Sequence, residues 1–545
     1  MRPQLFSYKS RRMIFLDART GKGYRQDAKD VSVIIDSRRK TPTLNDLLNT
    51  AYRAAEAMGG DGDVWVMLTG KRHTRKEGQD HFFQEETKEW DHGTHWLGDE
   101  PTGNYTNALT GAKVRISYAV SWFSSDTLSA KDAGYAWWLL TSLLADVSKG
   151  QLTVPMDTPG ATGARLWALS LSSKADLEVP SPEVAELIHS TAGQHHIDHL
   201  VAGPNFTNHP DCIPLVDPAK TPQIEKFAYI DGRFMYASVT REIGVGPIKQ
   251  LTRSEAADLF SQNQFARARY KVTFTVPGHW EHIGLFGIQD EDSYDWIWPN
   301  RPGATGTTWV DAAELQIASA MGWGIDFHEA MHFTGKADPL RTYSERIVRA
   351  RTKVAEVKGQ GRHPEAALDA VEDALRNVLL HSIGRFASRG RKVSHTVNSL
   401  QDLPPGVSER DAHRGKDDTY TYTAYELQSE RSERDLSYYH PEISAQIWGR
   451  SRARLLIGPS ALGNDTSGVL TMDPSTIIGV QGDAVFATTV PDYARPTPGG
   501  DDGRVGRLRL KGVLNGPIKT PSTLKQRDAL RDKAQRAGIG NLEEA

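Results

Sequence analysis

Apolar positions along the 545-residue chain fall into short runs separated by polar and glycine-rich stretches. In "RRMIFLDARTGKGYRQ" two such runs flank "TGKG", the pattern of a β-hairpin. "VSVIID" and "DVWVMLTG" are short, nearly continuous apolar runs, expected as buried strands. Between them "TLNDLLNTAYRAAEAMGG" repeats apolar residues at helical spacing, opens on a Thr cap and stops at Gly. Residues 11–70 therefore read as mixed α/β. Residues 71–112 are polar and Gly-rich and read as loops, residues 128–147 as a helix, and "DTPGATGARLWALSL" as a turn with a short helix start. A Pro/Asn-rich connector is expected over 200–225.

From residue 227 the pattern changes. "FAYID" is a strand leading into "RFMYASVTREI", and "ARYKVTFTVP" and "HIGLFGI" read as antiparallel strands. "VDAAELQIASAMGW" is helical, and two charged helices are predicted over 342–357 and 364–387. Residues 390–440 are charged and poor in apolar residues, as in an insertion. "HPEISAQIWGRSRARLLIGPSA" is an amphipathic helix. "GVLTMD" and "IIGVQGDAVFATTV" read as strands with a tight turn at Gly482, followed by a strand "GRLRLKGVL" and a basic helix "TLKQRDALRDKAQRAG". No internal repeat is evident.

Composition narrows the class. Hydrophobic residues make up 38% and mean hydropathy is −0.50, as in a water-soluble globular protein. The longest apolar run, "YAWWLLTSLLADV", falls short of the roughly 18 residues of a membrane span, and "MRPQLFSYKSRRM" lacks the apolar core of a signal peptide. The single cysteine, Cys212, excludes an internal disulfide and fits a reducing cytosol, so the expected location is cytoplasmic. Net charge is −3, but residues 341–400 hold 12 Lys and Arg against 6 Asp and Glu, and residues 504–536 hold 10 against 2. Such blocks suit a channel for a polyanion, and equally an ordinary solvated helix face.

Three stretches carry candidate chemistry. The run "FAYIDGRFMYASVTREIGVGP" ends its strand on Asp231, with Tyr236 five residues on. In "IIGVQGDAVFATTV" Asp483 stands at a hairpin tip, where Gly-Asp is also a common turn former. Two carboxylates at the ends of neighbouring buried strands can hold two Mg²⁺ ions about 4 Å apart. Mg²⁺ needs few carboxylates when substrate phosphates supply other ligands. The third stretch, "ALRNVLLHSIGRFASRGRK", is a helix with Arg376, Gly384 and Arg385. Its cationic face would grip triphosphate oxygens, and Gly384 would let a base pair approach the backbone. Alone, it is also an amphipathic helix ending at a glycine.

Taken together and in this order, the three stretches resemble the polymerase motifs of family B DNA polymerases, closest to the protein-primed branch of phages and mobile elements. Asp231 and Tyr236 match the first motif, D-x-x-S-L-Y-P, and the "GVGP" that follows resembles its downstream turn. "RNVLLHSIGRFA" matches the second, K-x-x-x-N-S-x-Y-G-K-F-A, with Arg376 for its nucleotide-binding Lys. Of the third, Y-x-D-T-D-S, Asp483 keeps the second Asp and Gln481 replaces the first. "GRLRLKGVL" resembles the late K-x-Y strand through Lys511, and "STAGQHHID" keeps only Gly193 of a linker motif. The exonuclease motif D-x-E is reduced to Asp17 in "FLDART", so 3′–5′ proofreading is not expected.

The resemblance implies an α+β multidomain fold, a right-hand polymerase with palm, fingers and a small thumb behind an N-terminal RNase H-like, degenerate exonuclease-like module. The expected segments are that module over 1–185, a linker over 186–226, palm over 227–340 and 441–514, fingers over 341–390, an insertion over 391–440 and the thumb over 515–545. It implies Asp231 and Asp483 as catalytic metal ligands for two Mg²⁺, with Mn²⁺ able to substitute. It assigns Arg376, Gly384 and Arg385 to the nucleotide, Tyr236 to the sugar and Lys511 to the primer end. The implied partners are a DNA template-primer, dNTPs and a terminal or priming protein, with no membrane. The loss of one Asp keeps two alternatives open: a primase-like, RNA-making nucleotidyltransferase, and a catalytically silent nucleic-acid-binding replication protein. His209 and Cys212 have a spacing that zinc would accept, with His195, His196 and His199 upstream.

Overall fold

A computed structural model describes the chain apart from residues 1–10, 34–39, 71–88, 93–101, 172–176, 179, 193–197, 201–208, 290–295, 362, 389–391, 406–411, 417–420, 429–436, 460–465, 497–499 and 541–545. The fold is mixed α+β and divides into two compact units. One comprises Lys174–Arg341 and His440–Ala545, the other Arg2–Ser173 and Thr342–Tyr439. Gly193 of the linker motif, and His195 and His196, lie outside the described residues.

The N-terminal segment builds a seven-stranded sheet. Its strands are β1 (Arg11–Asp17), β2 (Lys22–Arg25), β3 (Asp30–Ser32), β4 (Asp63–Thr69), β5 (Trp90–His92), β6 (Gly103–Asn107) and β7 (Lys113–Tyr118), in the order β3-β2-β1-β4-β7-β6-β5. β1, β4 and β7 run parallel at its centre and the flanking pairs are antiparallel. Central parallel strands are covered on both faces, which is why "MIFL" and "VWVML" are unbroken apolar runs. Helix α1 (Leu44–Glu56) covers one face, and its first turn is closed by a reciprocal cap between Thr43 and Asp46. Helix α2 (Ala130–Val147) reaches the other, where Gly134 leaves room for Phe15 and Tyr24. The expectation of loops over 71–112 fails at β5 and β6. In "GNYTN" only Tyr105 and Asn107 are buried, so the strand carries almost no apolar signal. Helix α3 (Pro159–Ser170) is a full helix rather than a short start.

In the other unit, β8 (Asp198–Leu200) and β9 (Gln223–Gly232) precede a one-turn helix α4 (Met235–Ser238) and strand β10 (Ile243–Leu251). β10 joins β11 (Ala268–Thr275), β12 (Thr305–Asp311) and β13 (Gly324–Ala337) in a four-stranded antiparallel sheet ordered β10-β13-β11-β12, with helix α5 (Ala312–Ala320) after β12. "GVGP" is not a turn. It lies inside β10 as a bulge, with the register shifting between Val245 and Ile248 around Pro247. "HIGLFGI" is not a strand either. Only its last residue, Ile288, enters one; the rest is a buried irregular segment whose backbone is met by side chains, Asn300 Nδ2 donating to the His282 carbonyl at 3.0 Å.

Helices α6 (Arg341–Gly359) and α7 (Glu365–Phe386) form an antiparallel pair: Tyr343 Oη donates to the Val378 carbonyl at 3.0 Å, and Lys358 pairs with Asp369 at the opposite end. α7 packs closely on α3, where Gly160 and Gly163 leave no side chain between the helices. The insertion holds a three-stranded antiparallel sheet of β14 (Lys392–Val397), β15 (Ala412–Lys416) and β16 (Thr421–Gln428), ordered β14-β16-β15. The mostly buried helix α8 (Pro441–Leu456) leads back to the first unit. "GVLTMD" holds a 3₁₀ turn at Val469–Thr471 rather than a strand. Strands β17 (Ile477–Gln481), β18 (Ala484–Ala487) and β19 (Leu508–Lys519) then complete a wholly antiparallel sheet ordered β19-β9-β18-β17-β8, and helix α9 (Leu524–Ala537) packs against β19.

Candidate active site at the end of the five-stranded sheet

β9 is the central strand of the candidate site. Side chains alternate along it: Ala228 and Ile230 enter one core cluster, Phe227 and Tyr229 the other. Asp231 continues the second row, opposite Ala484 of β18 on one side and Arg509 of β19 on the other. It is 3% exposed. A bulge in β19 between Leu510 and Gly512 frees Lys511 from the ladder, and Lys511 Nζ lies 3.6 Å from Asp231 Oδ2. This cation offsets part of the cost of burying the carboxylate.

Asp483 is the second residue of a two-residue hairpin closed by Gln481 and Ala484. Gly482, at φ +56, supplies the left-handed residue that the first loop position needs. The Asp483 carbonyl accepts from Gly232 N–H at 3.0 Å, so the two acids occupy adjacent rungs. A Cβ on Gly232 would lie 2.8 Å from Asp483 Oδ2, so glycine at 232 is what admits this carboxylate. Met235 flanks the same spot. Asp231 thus belongs to one side-chain row and Asp483 stands beside the other; what they share is the end of the sheet. Gln481, two residues before Asp483, accepts from Arg531 Nη1 of α9 at 2.8 Å.

Tyr236 sits half-buried on α4, two residues beyond Phe234. Phe234 takes φ +49, a left-handed conformation costly for an aromatic residue, and so turns the chain sharply after Asp231. Arg450 of α8 pins the end of this loop through the carbonyls of Val239 (2.9 Å) and Arg241 (2.6 Å). Arg233, Arg454, Arg507 and Arg531 were not singled out in the sequence. Arg507 and Arg531 fall within the basic block over 504–536, and in "RSRARLL" Arg450 and Arg454 lie four apart and share a helix face.

Arg376, Gly384 and Arg385 belong to the other unit, on α7. Arg376 and Gly384 fall on one stripe at i and i+8. Gly384 is exposed with nothing within 4 Å of an added Cβ, and Arg385 donates to Ser388 at 3.1 Å. In the same unit Asp17 ends β1 and accepts the backbone N–H groups of Arg19 (2.9 Å) and Thr20 (2.7 Å), a turn-forming use of the carboxylate.

The donor set bears on the metal. Among the described residues no three His, Cys, Asp or Glu side chains cluster as a metal site. A pair of hard carboxylate oxygens, one of them half-exposed at a hairpin tip, fits an ion that keeps waters and takes phosphate oxygens, as Mg²⁺ does. His209 Nδ1 accepts the Asp211 N–H at 3.2 Å, and burial, with the charge of Asp211, pushes the Cys212 thiol up to about 12.

Two larger antiparallel sheets in one unit, and a mixed sheet with long helices in the other, make up an α+β fold among the described residues. The solved structures that share it include phi29 DNA polymerase in an orthorhombic crystal form (TM-score 0.51, 10% identity, 93% of this chain and 85% of that one). They also include phi29 DNA polymerase complexed with primer-template DNA (TM-score 0.50, 9% identity, 93% and 85%) and with primer-template DNA and incoming nucleotides (TM-score 0.50, 9% identity, 94% and 85%). No family model matches the chain, and no curated protein matches it significantly.

Proposed function

We propose that the protein is a template-directed DNA polymerase that adds dNTPs to a primer 3′-hydroxyl with release of pyrophosphate. The observation that carries this reading is a fold likeness spanning 93% of the chain, with the two motif acids, Asp231 and Asp483, on adjacent rungs at one sheet end. In this reading the five-stranded sheet is the palm, α6 and α7 the fingers and α9 the small thumb. The strand order β3-β2-β1-β4 with parallel β1, β4 and β7 supports an RNase H-like N-terminal module, and the turn-forming role of Asp17 supports a loss of proofreading.

Asp231 and Asp483 would hold Mg²⁺. The ions would supply charge neutralisation on the phosphates and a lowered pKa for the attacking hydroxyl. Lys511, already beside Asp231, would meet the primer end. Tyr236 would lie under the sugar and exclude a 2′-hydroxyl. Arg376 and Arg385 would hold the triphosphate while Gly384 admits the nascent base pair. Catalysis is then mainly positioning and charge compensation.

The test is extension of a primed template. Asp231→Asn and Asp483→Asn should each reduce Mg²⁺-dependent incorporation to below about one-thousandth while DNA binding persists. Near-wild-type extension by either variant would overturn the assignment. One observation favours a second reading. Arg531 fixed on Gln481 places a cation two residues from Asp483, as suits a nucleic-acid-binding replication protein without catalysis. That reading requires salt-sensitive DNA binding with no incorporation of dNTP or rNTP.

A further inference from the structure

Two arginine side chains, Arg454 and Arg507, lie near one another beside the loop that follows Asp231, and the backbone of a third, Arg233, is joined to the same segment. Gly506, at φ +84, lies against Arg454: an added Cβ there would run into Nη1 of Arg454 and lie 2.7 Å from Oγ of Ser238. The same segment is stitched to residue 233. Gly506 N–H donates to the Arg233 carbonyl and Arg233 N–H to the Arg507 carbonyl, each at 2.7 Å. Arg233 Nη2 pairs with Asp501 at 2.6 Å and Arg507 Nε with Asp502 at 3.1 Å, while Asp502 is shared with Arg504 at 3.7 Å.

Those aspartates do not complete the site. Nε of Arg233 and Nη1 of Arg507 are buried without a hydrogen-bond partner among the described residues. Arg454, half-buried in the last turn of α8, has no hydrogen bond or ion pair among them. Arg452, two residues earlier, points elsewhere and pairs with Glu314 at 3.3 Å. Burial, and then the charge of Arg507, push the Arg454 guanidinium below its usual range, and Arg450 adds further positive charge nearby. The helix C-terminus offsets part of this cost. Half-buried cations with unmet N–H groups on one segment, two of them near each other, are still the arrangement an oxyanion stabilises.

We propose that Arg454, Arg507 and Arg233 form a phosphate-binding site beside Asp231. It takes the phosphoryl oxygens of a nucleoside triphosphate or of a nucleic-acid strand. Only the owner of that phosphate depends on the polymerase reading; the anion site itself does not.

Calorimetric titration of the full chain with sodium tripolyphosphate, free of divalent ions, tests the site without turnover. Arg454→Gln should weaken binding about tenfold and Arg454→Lys less. Lys220→Gln, at a surface lysine, should leave it unchanged. Titration with a fluorescent dATP and, separately, with a labelled single-stranded oligonucleotide distinguishes the sources: whichever loses affinity in Arg454→Gln owns the phosphate. Should Arg454→Gln not fold, Arg507→Lys carries the same expectation. Absence of tripolyphosphate binding by the wild type, or equal binding by a folded Arg454→Gln or Arg507→Lys, would overturn the proposal. A chain that binds tripolyphosphate through Arg454 yet never extends a primer would keep the anion site and lose the polymerase.

Discussion

At the scale of single residues, burial decides chemistry. Asp231 is nearly sealed at the end of β9 and retains its charge partner only because a bulge releases Lys511 from the ladder of β19. A regular strand would have put Lys511 on a rung of its own. Cys212 shows the opposite case, a group kept neutral. Desolvation pushes its thiol up to about 12, and the charge of Asp211 acts in the same sense. The raised value means the neutral thiol is favoured by folding. That contribution is whole below the ordinary thiol range and is lost as pH climbs toward about 12. At pH 8 iodoacetamide should therefore alkylate the native protein at least about a hundredfold more slowly than the urea-unfolded chain. Equal rates would mean that the thiol is not buried as described.

At the scale of elements, glycines set how closely helices and strands approach. Gly163 of α3 faces α7, and a methyl group there would overlap the Val378 carbonyl and come within 2.7 Å of the Ser382 side chain. Gly384, on α7 itself, has open space around it. Gly163→Ala should destabilise the protein by about 1–3 kcal/mol through overpacking. Gly384→Ala should stabilise it by roughly 0.5–1 kcal/mol through helix propensity. Urea unfolding measures both. If Gly384 admits a base pair, its alanine variant will extend primers poorly despite being the more stable protein. Unimpaired extension would remove that role from Gly384.

On the scale of the whole molecule, a net charge of −3 conceals strongly basic segments over 341–400 and 504–536. Affinity for DNA through such segments comes from releasing counterions from phosphates. Binding of a primer-template followed by fluorescence anisotropy should weaken at least about a hundredfold between 50 and 200 mM salt. A flat salt dependence would separate these segments from any nucleic-acid channel.

The sequence by itself determined the local elements. The apolar run ending at Asp231, the Gly482–Asp483 hairpin, the two long helices over 341–386 and the basic terminal helix are written in periods and turn residues that act within a few positions. Where local signals were ambiguous they misled. "GVGP" proved to be a bulge because Pro247 sits within a strand whose partner, β13, is supplied from far along the chain. "HIGLFGI" proved irregular because Asn300 and other side chains satisfy its backbone in place of a ladder. Only the tertiary structure decided that β9 lies between β18 and β19, that Lys511 meets Asp231, that Arg531 holds Gln481, and that Arg454 reaches Gly506 in the segment whose backbone is bonded to Arg233. The physical reason is range. Strand pairing and charge convergence join residues hundreds of positions apart, and no periodicity along the chain records which distant segments will share one end of a sheet.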